Sequence, residues 1–113
     1  MKPRAGLSTA ERDMFVAAFE TAVRDIPTVR AVRIGRRTTH GAQYEERAPD
    51  GADFMILIDF DDLAGLQTYL RHPAHAAVSE SFNRLRDSGW VFDYEAGDLT
   101  RLRDFVQGNG ERR

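Results

Sequence analysis

The sequence predicts a single α+β domain in which helices and strands share one hydrophobic core. The chain has 113 residues, of which 42% are hydrophobic and 30% charged, so it has enough apolar surface to offset the entropy of an ordered chain. Segments with helical apolar spacing alternate with segments of strand composition. One strand, at residues 54–60, is apolar on both faces, so both sides of its sheet need cover.

The first helix is predicted to begin after Ser8. Glu11 follows at the spacing of a capping box, in which each side chain satisfies a free backbone N–H of the other residue. Pro27 ends this helix near residues 25–26, because the residue before a proline is excluded from the helical region. The apolar stripe that faces the core is predicted to be Phe15, Phe19, Ala22, Val23 and Ile26.

Two further helices are predicted in the second half of the chain. Asp61 or Asp62 caps the first of them. Pro73 opens the second, because its missing N–H costs nothing in a first turn, and this helix runs to about Asp87. The first helix carries the apolar residues Leu63, Leu66, Tyr69 and Leu70. The residues expected to point inward in the second are Ala77, Val78, Phe82 and Leu85.

Other segments complete the predicted order of elements. Residues 29–35 form a strand, and a long polar excursion follows over residues 36–53. Residues 44–47 are predicted to extend a strand on the far side of that excursion. Residues 90–94 form the last strand with their aromatic side chains on one face, and a short helix at 99–106 precedes a polar tail.

The strand at residues 54–60 also predicts self-association. Its side chains alternate between the two faces of the sheet, which places Met55 and Leu57 opposite the remaining apolar residues. The chain's own helices can cover one face. The other face is expected to meet the sheet of a second copy, because a two-fold dimer is the commonest oligomer. The predicted partner is therefore a second copy of this chain, in a homodimer.

The composition excludes several classes of function. Eighteen acidic and sixteen basic residues give a net charge of −2, so no overall positive field draws the chain to nucleic acid. The absence of cysteine excludes disulfides and cysteine-based zinc sites. We see neither an apolar leader segment nor the ~18 apolar residues of a membrane span. The expected protein is soluble and cytoplasmic, without nucleic-acid or membrane partners and without a cofactor.

A histidine-containing element in the second half of the chain resembles a known family. It is Tyr69-x-x-His72-Pro73-x-His75, and an aspartate–tyrosine strand end follows at residues 93–94. With these features the chain resembles the stress-responsive A/B barrel (Dabb) family. The resemblance implies a ferredoxin-like α+β protomer and a dimeric α+β barrel, in which two sheets pack face to face.

The family usually opens with a strand that lies in the centre of the sheet. Here residues 1–7 precede the helix cap, so that first strand is expected to be missing or truncated. Either the natural reading frame starts upstream, or residues 99–106 or a partner's edge replace the strand, because unpaired central backbone groups are costly to bury. The barrel domain is assigned to residues 1–97, and the C-terminal helix and polar tail to residues 98–113.

Tyr69 and His75 are the candidate catalytic residues. The resemblance implies these roles, because a cofactor-independent polyketide cyclase of the family has its catalytic tyrosine and histidine at the matching positions. A neutral imidazole can remove a proton from a methylene between two carbonyls, and a phenol can hydrogen-bond the oxygen that gathers charge. The implied ligand is a small hydrophobic or polyketide-like molecule.

Three functions stay open from the sequence. The first is a stress-response or scaffold protein without enzymatic activity, in which the histidine element fastens two helices and His72 bonds helix-end backbone groups. The second is a cyclase-like enzyme with His75 as base and Tyr69 as positioning acid. The third, by analogy of fold alone, is a cofactorless monooxygenase-like protein. An enzyme requires an open apolar cavity beside His75, whereas a scaffold can fill that space.

Two other clusters of side chains are candidate binding sites. His72 and His75 are three residues apart, and His40 or Asp59 could be a third ligand, but two histidines without a clear third ligand predict no metal site. Four arginines that cluster in sequence could form an anion site, although such a run is more often a solvated face. They are Arg33, Arg36, Arg37 and Arg47.

Overall fold

The computed structural model describes residues 1–48 and 51–108 of the chain. Over these residues the fold has four short strands and four α-helices, together with two 3-10 helices at Gln43–Arg47 and Leu99–Arg101. In chain order the main elements are β1 (Lys2–Pro3), α1 (Thr9–Asp25), β2 (Ala31–Arg36), β3 (Phe54–Asp59), α2 (Leu63–Arg71), α3 (Pro73–Leu85), β4 (Arg86–Ser88) and α4 (Leu102–Gly108).

The strands form two antiparallel pairs that meet at Met1. β2 pairs with β3 along its whole length, with Ile34 opposite Ile56, and β1 pairs with β4. Met1 connects the pairs, because its N-terminal ammonium donates to the carbonyl of Phe54 at 2.7 Å and its own carbonyl accepts from the backbone N–H groups of Asp53 and Phe54. The predicted truncation of the first strand is confirmed, since β1 has only two residues.

Helix α1 begins and ends as its sequence predicts. The Ser8 hydroxyl accepts from the Glu11 N–H and the Glu11 carboxylate accepts from the Ser8 N–H, each at 3.1 Å, which completes the capping box. The helix ends at Asp25, and Ile26 before Pro27 has extended backbone angles. Ile26 is also 1% exposed, so the residue that closes the helix is part of the core.

Two neighbouring clusters of buried side chains form the core between the helices and one face of the sheet. The first contains Met1, Leu7, Phe15 and Leu85, with Phe54 and Ile56 packed against it. The second contains Ala22, Ile26, Tyr69 and Val78, with Ile58 and Phe60 packed against it. Alternate residues of β3 therefore run along both clusters.

The two faces of β3 have different surroundings in a single copy of the chain. Phe54, Ile56 and Ile58 are half-buried beneath the helices. Met55 and Leu57 point to the other side and are 58% and 44% exposed. The prediction that this strand is apolar on both faces is confirmed, and one of those faces has no cover from this chain's own helices.

Two predicted inward positions are wrong. Val23 and Ala77 are exposed although each is next to a buried residue in its helix. Consecutive residues of an α-helix are rotated by about 100°, which turns these side chains out of the buried stripe. In α2, Leu63 and Leu70 are exposed while Tyr69 is buried.

The predicted strand extension at residues 44–47 is also wrong, because Gln43–Arg47 form a 3-10 helix. The carboxylate of Glu45 accepts from the backbone N–H groups of His40 and Gly41, which folds the segment back on itself. Gly41 has a φ of 88°, a left-handed conformation that suits glycine. Side-chain hydrogen bonds thus satisfy backbone groups that a strand would have offered to a neighbour.

The last strand lies earlier in the chain than the sequence predicts. β4 covers Arg86–Ser88, so α3 ends at Leu85 rather than near Asp87, and residues 90–94 have no regular structure. The ladder with β1 stops at the pair Lys2–Ser88, so the residues after Ser88 have no paired strand in the described part of the chain.

The C-terminal helix predicted at residues 99–106 is present as a 3-10 helix followed by α4. Leu99 is 82% exposed and Val106 is 72% exposed. The alternative in which residues 99–106 replace the short first strand is therefore wrong. No helix within the described ranges is long and apolar enough to span a membrane.

We predict that Ile26→Ala destabilises the fold by about 2–5 kcal/mol, because it leaves a cavity at a fully buried position. Ile34→Ala is the matched control, since Ile34 is 79% exposed, and we expect it to change the free energy of unfolding by less than about 1 kcal/mol. Urea unfolding of both variants measures the difference. Equal losses would contradict the assigned core.

Candidate functional site

The candidate site is built at the junction of α2 and α3, where His72 belongs to the ends of both helices. The His72 N–H donates to the carbonyl of Tyr69 at 3.2 Å and closes α2. The His72 Nδ1 accepts from the Ala74 N–H at 3.0 Å, and its carbonyl accepts from the His75 N–H at 3.0 Å, which opens α3. Pro73 occupies the first turn, where its missing N–H costs nothing. The structural role considered for His72 is confirmed.

This junction brings Tyr69 and His75 side by side. Their ring centroids are 4.8 Å apart with the planes at 61°, an edge-to-face contact. The ring of Phe60, at the end of β3, lies 5.2 Å from that of Tyr69. Phe60 was not among the predicted site residues. The sequence signal that could have identified it is its alternation with Ile56 and Ile58, which places all three on the same face of the strand.

The Tyr69 hydroxyl and the His75 ring nitrogens have no hydrogen bond to the protein within residues 1–48 and 51–108. Tyr69 is only 6% exposed and His75 is half-buried. In the same part of the chain, no fully enclosed side-chain nitrogen or oxygen lacks a partner. It follows that the Tyr69 hydroxyl and the His75 ring nitrogens reach accessible space, where a ligand can bond them.

Burial fixes the protonation state of the Tyr69 phenol. Desolvation raises its pKa above the usual value of a tyrosine, because the phenolate is the charged form. Tyr69 therefore remains a neutral hydrogen-bond donor through the physiological range. A neutral donor beside an imidazole can stabilise an oxygen that gains negative charge while the imidazole takes a proton.

The side chains considered as metal ligands do not come together around Tyr69 and His75. Over the described residues, no three His, Cys, Asp or Glu side chains are placed to hold a metal ion. His40 lies in the loop after β2, where its ring is 6.3 Å from that of Tyr44. His72 uses its Nδ1 as a helix cap, so one nitrogen of the two-histidine pair is already occupied.

A surface cavity of about 390 Å³ lies in the polar loop and is lined by neither Tyr69 nor His75, so it is not the open apolar cavity beside His75 that distinguishes an enzyme from a scaffold. Of the four arginines considered for an anion site, Arg37 lines this cavity, while the lining does not include Arg33, Arg36 or Arg47. Glu45 and Glu46 are part of the same wall, so the cavity is not the purely basic site that the arginine cluster suggested.

Comparison of the sequence with a family model identifies the family to which this chain belongs. The model of the stress responsive A/B barrel domain matches residues 2–96. The chain belongs to this family. The match confirms the resemblance seen in the histidine element. The division into a domain at residues 1–97 and a tail at 98–113 stays a prediction.

Two relatives of this A/B barrel domain are informative. Olivetolic acid cyclase from Cannabis sativa is 21% identical over 94 residues, which cover 83% of this chain and 88% of the cyclase. The crystal structure of a dimeric ferredoxin-like protein from Thermobifida fusca is similar to this structure, with a TM-score of 0.57 and 17% sequence identity. The similar region covers 77% of this chain and 76% of the Thermobifida fusca chain. The likeness confirms the ferredoxin-like α+β fold.

We predict that Tyr69 ionises only above the ordinary tyrosine pKa of about 10. The folded state then holds its proton more tightly than the unfolded state, so the contribution of Tyr69 to stability is present below that pH and falls as the pH rises above it. The ultraviolet absorbance of phenolate, measured as wild type minus Tyr69→Phe, isolates this titration. A midpoint at or below the ordinary value would contradict the burial of the phenol.

Proposed function

We propose that this A/B barrel protein is a cofactor-independent enzyme that enolises, and then cyclises, a small β-dicarbonyl or polyketide-like substrate at Tyr69 and His75. One observation carries the proposal. The two rings are in contact at 4.8 Å while their polar atoms have no protein partner in the described part of the chain. The relation to olivetolic acid cyclase at 21% identity supports this class of reaction.

The proposed chemistry needs only these two side chains. His75 removes a proton from the carbon between two carbonyls, and the electron pair moves onto one carbonyl oxygen. Tyr69 donates a hydrogen bond to that oxygen and lowers the energy of the enolate. The enolate carbon then forms a bond to the carbon of a third carbonyl, further along the same molecule, whose C=O π bond breaks to give an alkoxide. That alkoxide takes the proton back from His75. The other task of the site is to fold a flexible substrate so that these carbons meet.

His75→Ala tests the base. The assay follows deuterium exchange at the central carbon of a β-ketoacyl thioester by NMR, and then formation of cyclised product from a poly-β-ketone thioester. We expect wild-type exchange above the buffer rate and a loss of roughly 10²–10⁴-fold in the variant. Tyr69→Phe keeps the ring and loses the donor, so it should slow exchange while leaving stability near that of the wild type.

His40→Ala is the matched control, because His40 is a histidine in the exposed loop with no contact to the pair. It should exchange at the wild-type rate. Equal rates of deuterium exchange in His75→Ala and the wild type would contradict the role of His75 as base. Wild-type exchange no faster than buffer would remove the enzymatic proposal and favour the scaffold function.

We also propose that the chain is a homodimer whose sheets pack through the face that bears Met55 and Leu57. These two residues are exposed in a single copy. Gly35 lies opposite Met55 in the sheet, and a Cβ there would be 3.3 Å from the Met55 Cγ, so glycine leaves room for Met55 to lie flat on this face. The similar protein from Thermobifida fusca is described as dimeric and ferredoxin-like. The cytoplasmic location stays a prediction.

Leu57→Asp should weaken this dimer, because it places a charge in an apolar contact. Sedimentation equilibrium of the wild type should give twice the chain mass of 12.8 kDa, and the variant should shift toward 12.8 kDa. Leu63→Asp is the control, since Leu63 is 66% exposed at the start of α2 and an acid is favourable there. A monomeric wild type would overturn the proposal.

A further inference from the structure

The sheet face that bears Met55 and Leu57 also carries two opposite charges. Residues directly opposite each other in an antiparallel pair point to the same side, so Arg33, which is paired with Leu57, lies on this face. Asp59 lies there too, because it follows Leu57 by two residues in β3. Both charged side chains are exposed in a single copy. The six positions of β2 and β3 on this face are Ala31, Arg33, Gly35, Met55, Leu57 and Asp59.

Neither charge has a partner within one copy. Arg33 and Asp59 are diagonal neighbours in the strand pair, at a backbone spacing of roughly 7–8 Å. Neither side chain forms an ion pair or a hydrogen bond in residues 1–48 and 51–108. By contrast, Arg30, just before β2, reaches the carboxylate of Asp61 at 2.8 Å. A second copy that packs on this face has to supply both missing partners, because a charge that is buried without a partner is destabilising.

Two-fold symmetry restricts how these charges can meet. In a two-fold contact, a residue on the axis meets its own copy, whereas two different residues away from the axis meet each other twice. Arg33 or Asp59 placed on the axis would therefore face a like charge. The face formed by β2 and β3 has one basic and one acidic side chain, so the arrangement that neutralises both sets Arg33 of each copy against Asp59 of the other.

The residues around the two charges fit this arrangement. Ala31 is paired with Asp59, and the next pair on the same face is Arg33 with Leu57. The charges thus occupy one diagonal of a four-residue group. A two-fold axis that exchanges the charges runs close to the other diagonal, through Ala31 and Leu57. Both residues on that line are apolar, so each can meet its own copy without electrostatic repulsion.

We propose that two copies of this chain pack sheet on sheet with Leu57 close to the two-fold axis and with an ion pair between Arg33 of each copy and Asp59 of the other. The inference rests on the proposed homodimer and specifies how the two sheets are placed on each other. Leu57 provides the apolar contact near the axis. The two ion pairs flank it and disfavour placements that bring like charges together.

Charge reversal followed by mixing tests the ion pairs. In Arg33→Glu the introduced glutamate meets Asp59 of the other copy, and in Asp59→Arg the introduced arginine meets Arg33. Each variant alone should raise the dimer dissociation constant by roughly 100-fold, because two like-charge contacts replace two ion pairs. An equimolar mixture of the two variants should recover a constant near that of the wild type, since both contacts of the mixed dimer then join opposite charges.

The mixture distinguishes contacts between copies from contacts within one copy. Inside a copy of Arg33→Glu both positions are acidic whatever the partner, so a role confined to one copy predicts no recovery. Arg36→Glu is the matched control, because Arg36 is an exposed arginine of the same strand on the opposite face. It should leave the dissociation constant unchanged, and its mixture with Asp59→Arg should not reach wild-type affinity. Sedimentation equilibrium measures these constants, and circular dichroism checks that each variant is folded.

Cysteine cross-linking locates the axis. The chain has no cysteine, so Leu57→Cys and Met55→Cys each introduce a single thiol. A disulfide can join facing sheets where the two Cβ atoms approach within about 4.5 Å, which favours a residue beside the axis. Met55 lies two residues further along the strand and away from its own copy. We expect mild oxidation to link Leu57→Cys into a covalent dimer and to leave Met55→Cys largely unlinked.

The outcomes separate this arrangement from the homodimer itself. Recovery in the mixture, with cross-linking at position 57, supports the arrangement. Unchanged constants in the single variants, or no recovery in the mixture, overturn the ion pairs even where Leu57→Asp dissociates the dimer and so supports the homodimer. Faster cross-linking of Met55→Cys than of Leu57→Cys overturns the position of the axis. A wild type that is monomeric at all concentrations overturns the homodimer and this arrangement together.

Discussion

The alternation of side chains along β3 is the constraint on which the rest of the structure depends. A strand cannot turn adjacent residues to the same side, so Ile56 and Ile58 face the helices while Met55 and Leu57 face away. The first set organises both core clusters, from Phe15 to Tyr69. The second set leaves an apolar surface that this chain's own helices do not cover. The core of one copy and the homodimer proposed from the uncovered face both depend in this way on a single short strand.

The candidate site depends on the same strand through Phe60. This ring continues the buried face of β3 and contacts Tyr69, which in turn contacts His75. His72 sets the distance between the last two, because its backbone closes α2 and its imidazole opens α3. The structural function of the Tyr-x-x-His-Pro-x-His element and its proposed catalytic function therefore belong to different residues. One histidine holds the junction, and the junction positions the other histidine, which is the proposed base.

Elements whose causes are local can be predicted from the amino-acid sequence. Ser8 with Glu11, Pro27, Asp62 and Pro73 set helix ends through bonds or exclusions within a few residues, and the period of two in β3 needs no distant partner. Features that depend on distant partners appear only in the folded chain. Residues 90–94 have strand composition but no strand pairs with them in the described residues, residues 44–47 follow the carboxylate of Glu45, and the contact of Tyr69 with Phe60 requires the packing of α2 on β3. Backbone pairing and ring contacts join residues far apart in the chain, and no local pattern records which of them will meet.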